Sequence, residues 1–272
     1  VDALKERGYG PDKVEIEQEN AQGDQSNLKT IVSRFKAEKP KLICAIATPA
    51  AQAAANEIKD IPIVGTAITD YTSAKLVQND ERPGGNVTGV SDFAAMDAQM
   101  ELAAKLIPQA KHVGLIYCSS EVNSEVQANQ MKDYCKKHDL AVEERTVNNV
   151  NDIQQVAESL IGKVDYIYVP TDNTLASSIP TLMKITDANK IPVIVGADIM
   201  AKDGALAALS VDYYRLGKQT GELAADILDG KVKPETSPIQ HQKDYTIVIN
   251  KQDAEILGLT IPEEIARKAN MV

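Results

Sequence analysis

Short apolar runs alternate with segments of helical periodicity along almost the whole chain. Residues 42–47 (LICAIA) and 61–67 (IPIVGTA) are nearly uniformly apolar, as strands covered on both faces must be. Leu28, Ile31, Val32 and Phe35 recur at i, i+3, i+4 and i+7, which is one face of a helix. The pattern predicts strands at 14–16, 42–47, 61–67 and 87–90, with helices at 2–7, 28–35, 49–58 and 95–107. A second series follows, with strands at 113–117, 141–147, 165–169, 192–196 and 205–211 and a late strand at 243–249. Its helices cover 121–137, a face of Ile153, Val156, Ala157 and Leu160, another of Leu175, Ile179, Leu182 and Ile185, then 213–229 and 251–258. Regular β–α alternation implies parallel sheets with helices on both faces, and two series imply two doubly wound lobes. A chain of 272 residues suits that division. The first lobe opens on a helix rather than a strand, so a first strand is expected before Val1, its loop contributing to the binding site.

In such sheets ligands bind beyond the carboxyl ends of the strands, so the residues that follow each strand are the ones to read for function. Thr48-Pro49-Ala50-Ala51 follows the run 42–47, with Thr48 placed as a helix cap and Pro49 at the first helical position. The unpaired amides of such a terminus suit a carboxylate, although Thr48 as a plain cap explains the same residues. Thr69-Asp70 follows 61–67. The polar loop Ser119-Ser120-Glu121-Val122-Asn123-Ser124 follows 113–117, and Pro170-Thr171-Asp172-Asn173-Thr174 follows 165–169. Asp198 follows 192–196. Acids for an ammonium and helix termini for a carboxylate together suit a zwitterion; helix capping explains any one of these residues and accounts less well for the whole set.

The net charge of −10 and a pI near 4.9 argue against the clustered basic surface that nucleic acid or an anionic membrane requires. Cys44, Cys118 and Cys135 have no spacing that suits zinc and read as small buried apolar residues. His112, His138 and His241 are far apart, and the chain has no G-x-S-x-G elbow, phosphate loop or H-E-x-x-H pair. Gly84-Gly85 precedes a strand instead of following one, unlike a phosphate loop. The expectation is a binding protein with no catalytic residue, metal or cofactor.

Several stretches resemble the ABC-transporter substrate-binding family that includes tryptophan-, phenylalanine- and tyrosine-binding lipoproteins. They are ATPAAQAA (47–54), PGGNVTGVSD (83–92), QMELAAKLIP (99–108), IYCSSEVNS (116–124), VPTDNTLASS (169–178) and GALAALSVDYYRLGKQTGELAADIL (204–228). The resemblance implies a type I periplasmic-binding-protein fold, an α/β architecture of two doubly wound parallel-sheet lobes joined by a three-strand hinge that closes on a ligand. It places the lobes at 1–111 plus 212–240 and 112–211 plus 241–272, with the ligand cleft between them. It also implies a monomer outside the cytoplasm, periplasmic or anchored as a lipoprotein, that delivers its ligand to an ABC transporter permease. Thr48 and the amides of Ala50 and Ala51 would take the ligand carboxylate, Asp172 the ammonium and Asn173 a further hydrogen bond. Asn123 and Ser124 would close over the ligand, Asp198 would supply another acceptor, and Thr69, Asp70 and Glu121 would line the side-chain pocket or its rim. Among the aromatic residues Tyr71 stands near a strand end as a stacking partner, whereas Tyr213 and Tyr214 read as packing or hinge residues. The resemblance implies an aromatic amino acid as ligand. The same fold accommodates a branched amino acid, a sugar or a nucleoside, or a role as a sensor domain.

Overall fold

The computed structural model describes residues 1–272. The chain begins with α1 (Asp2–Glu6), α2 (Gln25–Glu38), β1 (Ile43–Ile46), α3 (Thr48–Glu57), β2 (Ile63–Ile68) and β3 (Val87–Ser91). It continues through α4 (Met96–Leu106), β4 (His112–Cys118), α5 (Val122–Lys137), β5 (Ala141–Val147), α6 (Ile153–Glu158) and β6 (Tyr166–Val169). Then come α7 (Asn173–Ala176), α8 (Ile179–Ala188), β7 (Val193–Val195), α9 (Asp198–Lys202) and β8 (Ala207–Ser210). The last elements are α10 (Tyr213–Leu228), β9 (Gln240–His241), β10 (Thr246–Ile249), α11 (Lys251–Leu257), α12 (Glu263–Ala266) and β11 (Asn270–Met271). The chain divides into two units, Val1–Phe93 with Tyr213–Lys243 and Ala94–Asp212 with Asp244–Val272.

The first unit holds a four-stranded sheet in the order β1-β2-β3-β9, with every pairing parallel. Ile43 and Ala45 of β1 share a cluster with Ala51 and Ala54 of α3 and with Ile58 just after it. Helix α10 packs Leu223 and Ala224 against Val64. Its middle is pinned where the Thr220 hydroxyl bonds both the Leu216 carbonyl and the Thr66 hydroxyl, each at 2.8 Å. Helix α1 lies along α10, where the Arg7 guanidinium meets Asp226 at 2.7 Å and the missing side chain of Gly221 makes room for Ala3. The strand expected at 14–16 does not form. Val14 and Ile16 alternate as a strand does, but no neighbouring strand pairs with them, and Ile16 is 44% exposed.

Tyr71 also departs from expectation. Its ring is buried in the core of the first unit, and its hydroxyl donates to the Val90 carbonyl at 3.1 Å, so it is not a free stacking surface. Gly65 and Gly89 are opposed in the β2–β3 ladder. A Cβ at Gly89, whose φ is +159°, would lie 2.1 Å from the Gly65 carbonyl oxygen and 2.3 Å from the Tyr71 hydroxyl, so only glycine admits the ring there.

The second unit holds seven strands in the order β11-β10-β8-β7-β6-β4-β5. Strands β6, β7 and β8 are buried along their whole length, matching their largely apolar sequences. Strand β10 runs antiparallel to β8, an exception to the parallel expectation. The chain re-enters this unit at Asp244 with no crossover helix before β10, so the constraint that makes βαβ strands parallel is absent. The helix expected across Leu175–Ile185 is two helices, α7 and α8, interrupted at Ser177-Ser178, with Pro180 in the first turn of the second. The first passage between units lies at 93/94, earlier than the expected boundary near 111. Helix α4 accounts for the difference. Met96, Met100 and Ala103 pack with Val113, Leu115 and Tyr168, and the Tyr168 hydroxyl donates to Gln99 Oε1 at 2.5 Å.

Candidate functional site

In the first unit the carboxyl ends of β1, β2 and β3 lead into Ala47–Ala50, Thr69-Asp70 and Asp92 respectively. Ala47, not Thr48, occupies the cap position of α3, with φ 72° and ψ 155° and no side-chain cap bond. That backbone region is essentially reserved for glycine, and holding alanine there costs about 1–3 kcal/mol. The helix start can be followed amide by amide. Ala47 N–H donates to the Thr66 carbonyl, Pro49 has no N–H, and Ala51 N–H donates to the Ala47 carbonyl. The amides of Thr48 and Ala50 therefore remain without an acceptor in the helix, and the amide of Ala51, expected to bind a ligand, is used by the helix itself. The Thr48 side chain is buried.

Thr69 is buried, and its carbonyl accepts from the Ser91 hydroxyl at 2.9 Å. Asp70 is turned back on its own loop, accepting from Ser73 N–H at 2.8 Å and the Ser73 hydroxyl at 2.9 Å. Asp92 was not singled out from the sequence, although it follows β3 as the other candidates follow their strands. It is 4% exposed. Its Oδ2 accepts from the Tyr213 hydroxyl at 2.9 Å, and its buried Oδ1 has no hydrogen-bond partner. Burial pushes the Asp92 carboxyl above the usual carboxylate range, against the pull of the Tyr213 and Thr69 hydroxyls.

In the second unit the loops after β4 and β6 form one buried polar network. Asp172 caps α7, with Oδ1 accepting from Leu175 N–H at 2.8 Å and Oδ2 accepting from Cys118 N–H at 2.7 Å. Glu121 holds the same turn. Its Oε1 accepts from the amide and hydroxyl of Thr174, both at 2.9 Å. Its Oε2 accepts from Asn173 N–H at 3.0 Å, Asn173 Nδ2 at 2.6 Å and Asn123 Nδ2 at 3.2 Å. Both carboxylates are thus already engaged by backbone and amide donors, which is why two acids tolerate burial side by side. Burial and the neighbouring Glu121 charge raise the Asp172 pKa, and the N–H donors of Cys118 and Leu175 act against that.

Asn123 Nδ2 also donates to the Thr171 carbonyl at 2.8 Å, while its Oδ1 is buried and unpartnered. The Ser124 hydroxyl lies 3.5 Å from the Thr171 carbonyl. Gln127 Oε1 accepts from the Thr171 hydroxyl at 3.1 Å, a contact that the helical spacing from Asn123 did not reveal. Asp198 opens α9 and pairs with Lys202 one turn later on the same helix. The structure therefore joins Glu121, Asn123, Ser124, Asp172 and Asn173 in one network, and Asp198 stands apart from it. No group of three or more His, Cys, Asp or Glu residues is arranged to hold a metal ion. The Gly84-Gly85 turn lines an open hollow of about 480 Å³ with Lys59, Asn86 and Glu235, beside residues that precede β2 and β3 and so away from the strand exits.

The sequence profile of the family described as "ABC transporter substrate binding protein" matches residues 1–272. The chain belongs to this family. A tyrosine-binding protein of Clostridioides difficile (strain R20291) is 42% identical over 260 residues, covering 95% of this chain and 75% of that protein. The crystal structure of an ABC domain in complex with L-Trp from Streptococcus pneumonia is 40% identical, covers 100% of this chain and 92% of that one, and superposes with a TM-score of 0.96. The ligand-free, open structure of a substrate binding protein with adhesive properties from Clostridium difficile is 41% identical and covers 100% of this chain and 92% of that one, with a TM-score of 0.75. More distant solute-binding structures, 14% and 17% identical, share the fold alone. The fold is that of the type I periplasmic-binding proteins, and the chain is a substrate-binding protein, not an enzyme. No helix is long and apolar enough to cross a membrane.

Proposed function

We propose that this chain is the extracytoplasmic receptor of an ABC importer for an aromatic amino acid, which it holds by hinge closure and passes to a permease. The observation that carries this reading is that, of two relatives 42% and 40% identical over nearly the whole chain, one is named as tyrosine-binding and the other is solved in complex with L-Trp. The chemistry of the strand exits supports it. The free amides of Thr48 and Ala50 suit a carboxylate, and the unpartnered Oδ1 of Asn123 suits a hydrogen-bond donor on the ligand. On this reading Thr69 and the Asn123–Ser124 turn line the ligand. Asp70, Glu121, Asp172 and Asn173 shape the loops that present it, and Asp198 lies at the rim.

The test is a thermal-shift and calorimetric panel of the common amino acids, several sugars and several nucleosides, run on protein unfolded and refolded to remove carried-over ligand. Ligand at 100 times its dissociation constant adds about 2.7 kcal/mol of stability. A shift confined to tyrosine, tryptophan or phenylalanine is expected. A shift with a sugar or nucleoside alone would overturn the amino-acid assignment and leave the family untouched.

A further inference from the structure

We propose that Asp92, at the exit of β3, is the acceptor for the ligand's α-ammonium; this rests on the amino-acid reading above. Three observations in the first unit carry it. Asp92 Oδ1 is buried with no donor, while its Oδ2 is held by Tyr213. The groups that act on the carboxyl are the hydroxyls of Tyr213 and Thr69 and its own backbone N–H, none of which is a cation. A buried carboxylate oxygen without a donor is costly, and native proteins keep one where something outside the chain completes it. The rival acceptor, Asp172, differs in kind, because each of its oxygens already accepts a backbone N–H.

Spacing agrees with this assignment. β1 and β3 flank β2 in one parallel sheet, so their exits are two strand spacings apart, roughly 10 Å. The ammonium and carboxylate of an α-amino acid are about 3 Å apart, and one hydrogen bond of about 3 Å at each end brings the span to roughly 9 Å. One amino acid therefore bridges from the Thr48 and Ala50 amides to Asp92 across the exit of β2, where Thr69 is buried. The carboxylate and the ammonium would be sorted within a single unit.

The test compares wild type with Asp92→Asn by calorimetry on refolded protein. The ligands are L-tyrosine and L-tryptophan and their desamino analogues, 3-(4-hydroxyphenyl)propionate and indole-3-propionate. Asp92→Asn is expected to raise the dissociation constant of the amino acids by roughly thirtyfold or more, as removing one member of a buried charge pair does, and to leave the analogues within about twofold. If Asn is not tolerated, Asp92→Ser, which keeps a polar partner for Tyr213, carries the same comparison. Amino-acid affinity unchanged in the variant would overturn the proposal and leave water as the group on Oδ1. Equal losses for amino acids and analogues would also overturn it, since they indicate a damaged site. A wild type that binds sugars or nucleosides in place of the amino acids would overturn the parent reading and this proposal together.

Discussion

Replacing Asp253 by Asn should stabilise the protein above neutral pH and change little in acid. Asp253 lies in the first turn of α11, is 3% exposed, and has no hydrogen-bond partner on either carboxyl oxygen. Asp187 of α8 faces it, and its own Oδ1 is buried and unpartnered. Burial first, then the charge and proximity of Asp187, push the Asp253 pKa from 3.8 to about 7. Burial also raises the Asp187 pKa, with Lys190 as the cation that opposes it. A carboxyl whose folded pKa exceeds its unfolded value binds more protons in the folded state, so stability is greatest below about pH 4 and falls as pH rises towards 7. A shift of about three units at about 1.4 kcal/mol each corresponds to a penalty on the order of 4 kcal/mol above that range. Asn removes the charge and keeps the shape, at a loss of about 0.5 kcal/mol of favourable helix-dipole interaction. The net gain near pH 8 is then about 2–4 kcal/mol, a rise in Tm of roughly 4–7 °C for a chain of this size. Urea melts of both proteins at about pH 4 and about pH 8 measure it directly. A variant that is equally or less stable near pH 8, or a difference that does not vary with pH, would refute the argument that burial and the Asp187 charge hold the Asp253 carboxyl above its usual range.

Three further outcomes follow from local geometry. Ala47→Gly should raise stability by about 1 kcal/mol, because glycine relieves the φ 72°, ψ 155° conformation at the start of α3; chemical denaturation measures the gain. Gly89→Ala should cost at least about 3 kcal/mol, because the new Cβ would meet the Gly65 carbonyl at 2.1 Å and the Tyr71 hydroxyl at 2.3 Å; loss of soluble protein or a lowered Tm is the readout. Glu121→Gln should cost about 2 kcal/mol by replacing one acceptor oxygen with a donor opposite the amides of Asn173 and Thr174. Hydrogen exchange should show the loss in the 172–176 turn first.

Periodicity in the sequence determined much of the architecture. Largely apolar runs such as 42–47 and 166–169 became strands β1 and β6, and the i, i+3, i+4 stripes became helices, because a strand or helix that must bury a face records that face in its own residues. Val14 and Ile16 carried the same signal without forming a strand, since a ladder needs a partner that a local pattern cannot supply. The order of residues also showed which side chains follow strands, which is enough to nominate Thr48, Glu121 and Asp172. Tertiary structure alone decided what those side chains do. Tyr71 became core because two distant glycines face each other across β2 and β3. Glu121 and Asp172 became loop clamps because the amides of residues 118, 173, 174 and 175 converge on them. Asp92 kept one buried oxygen without a hydrogen-bond partner, while Tyr213 from a distant helix took the other. A sequence fixes which groups exist and which face of an element they occupy; whether a buried charge is satisfied depends on donors from remote segments, and only the folded chain brings those together.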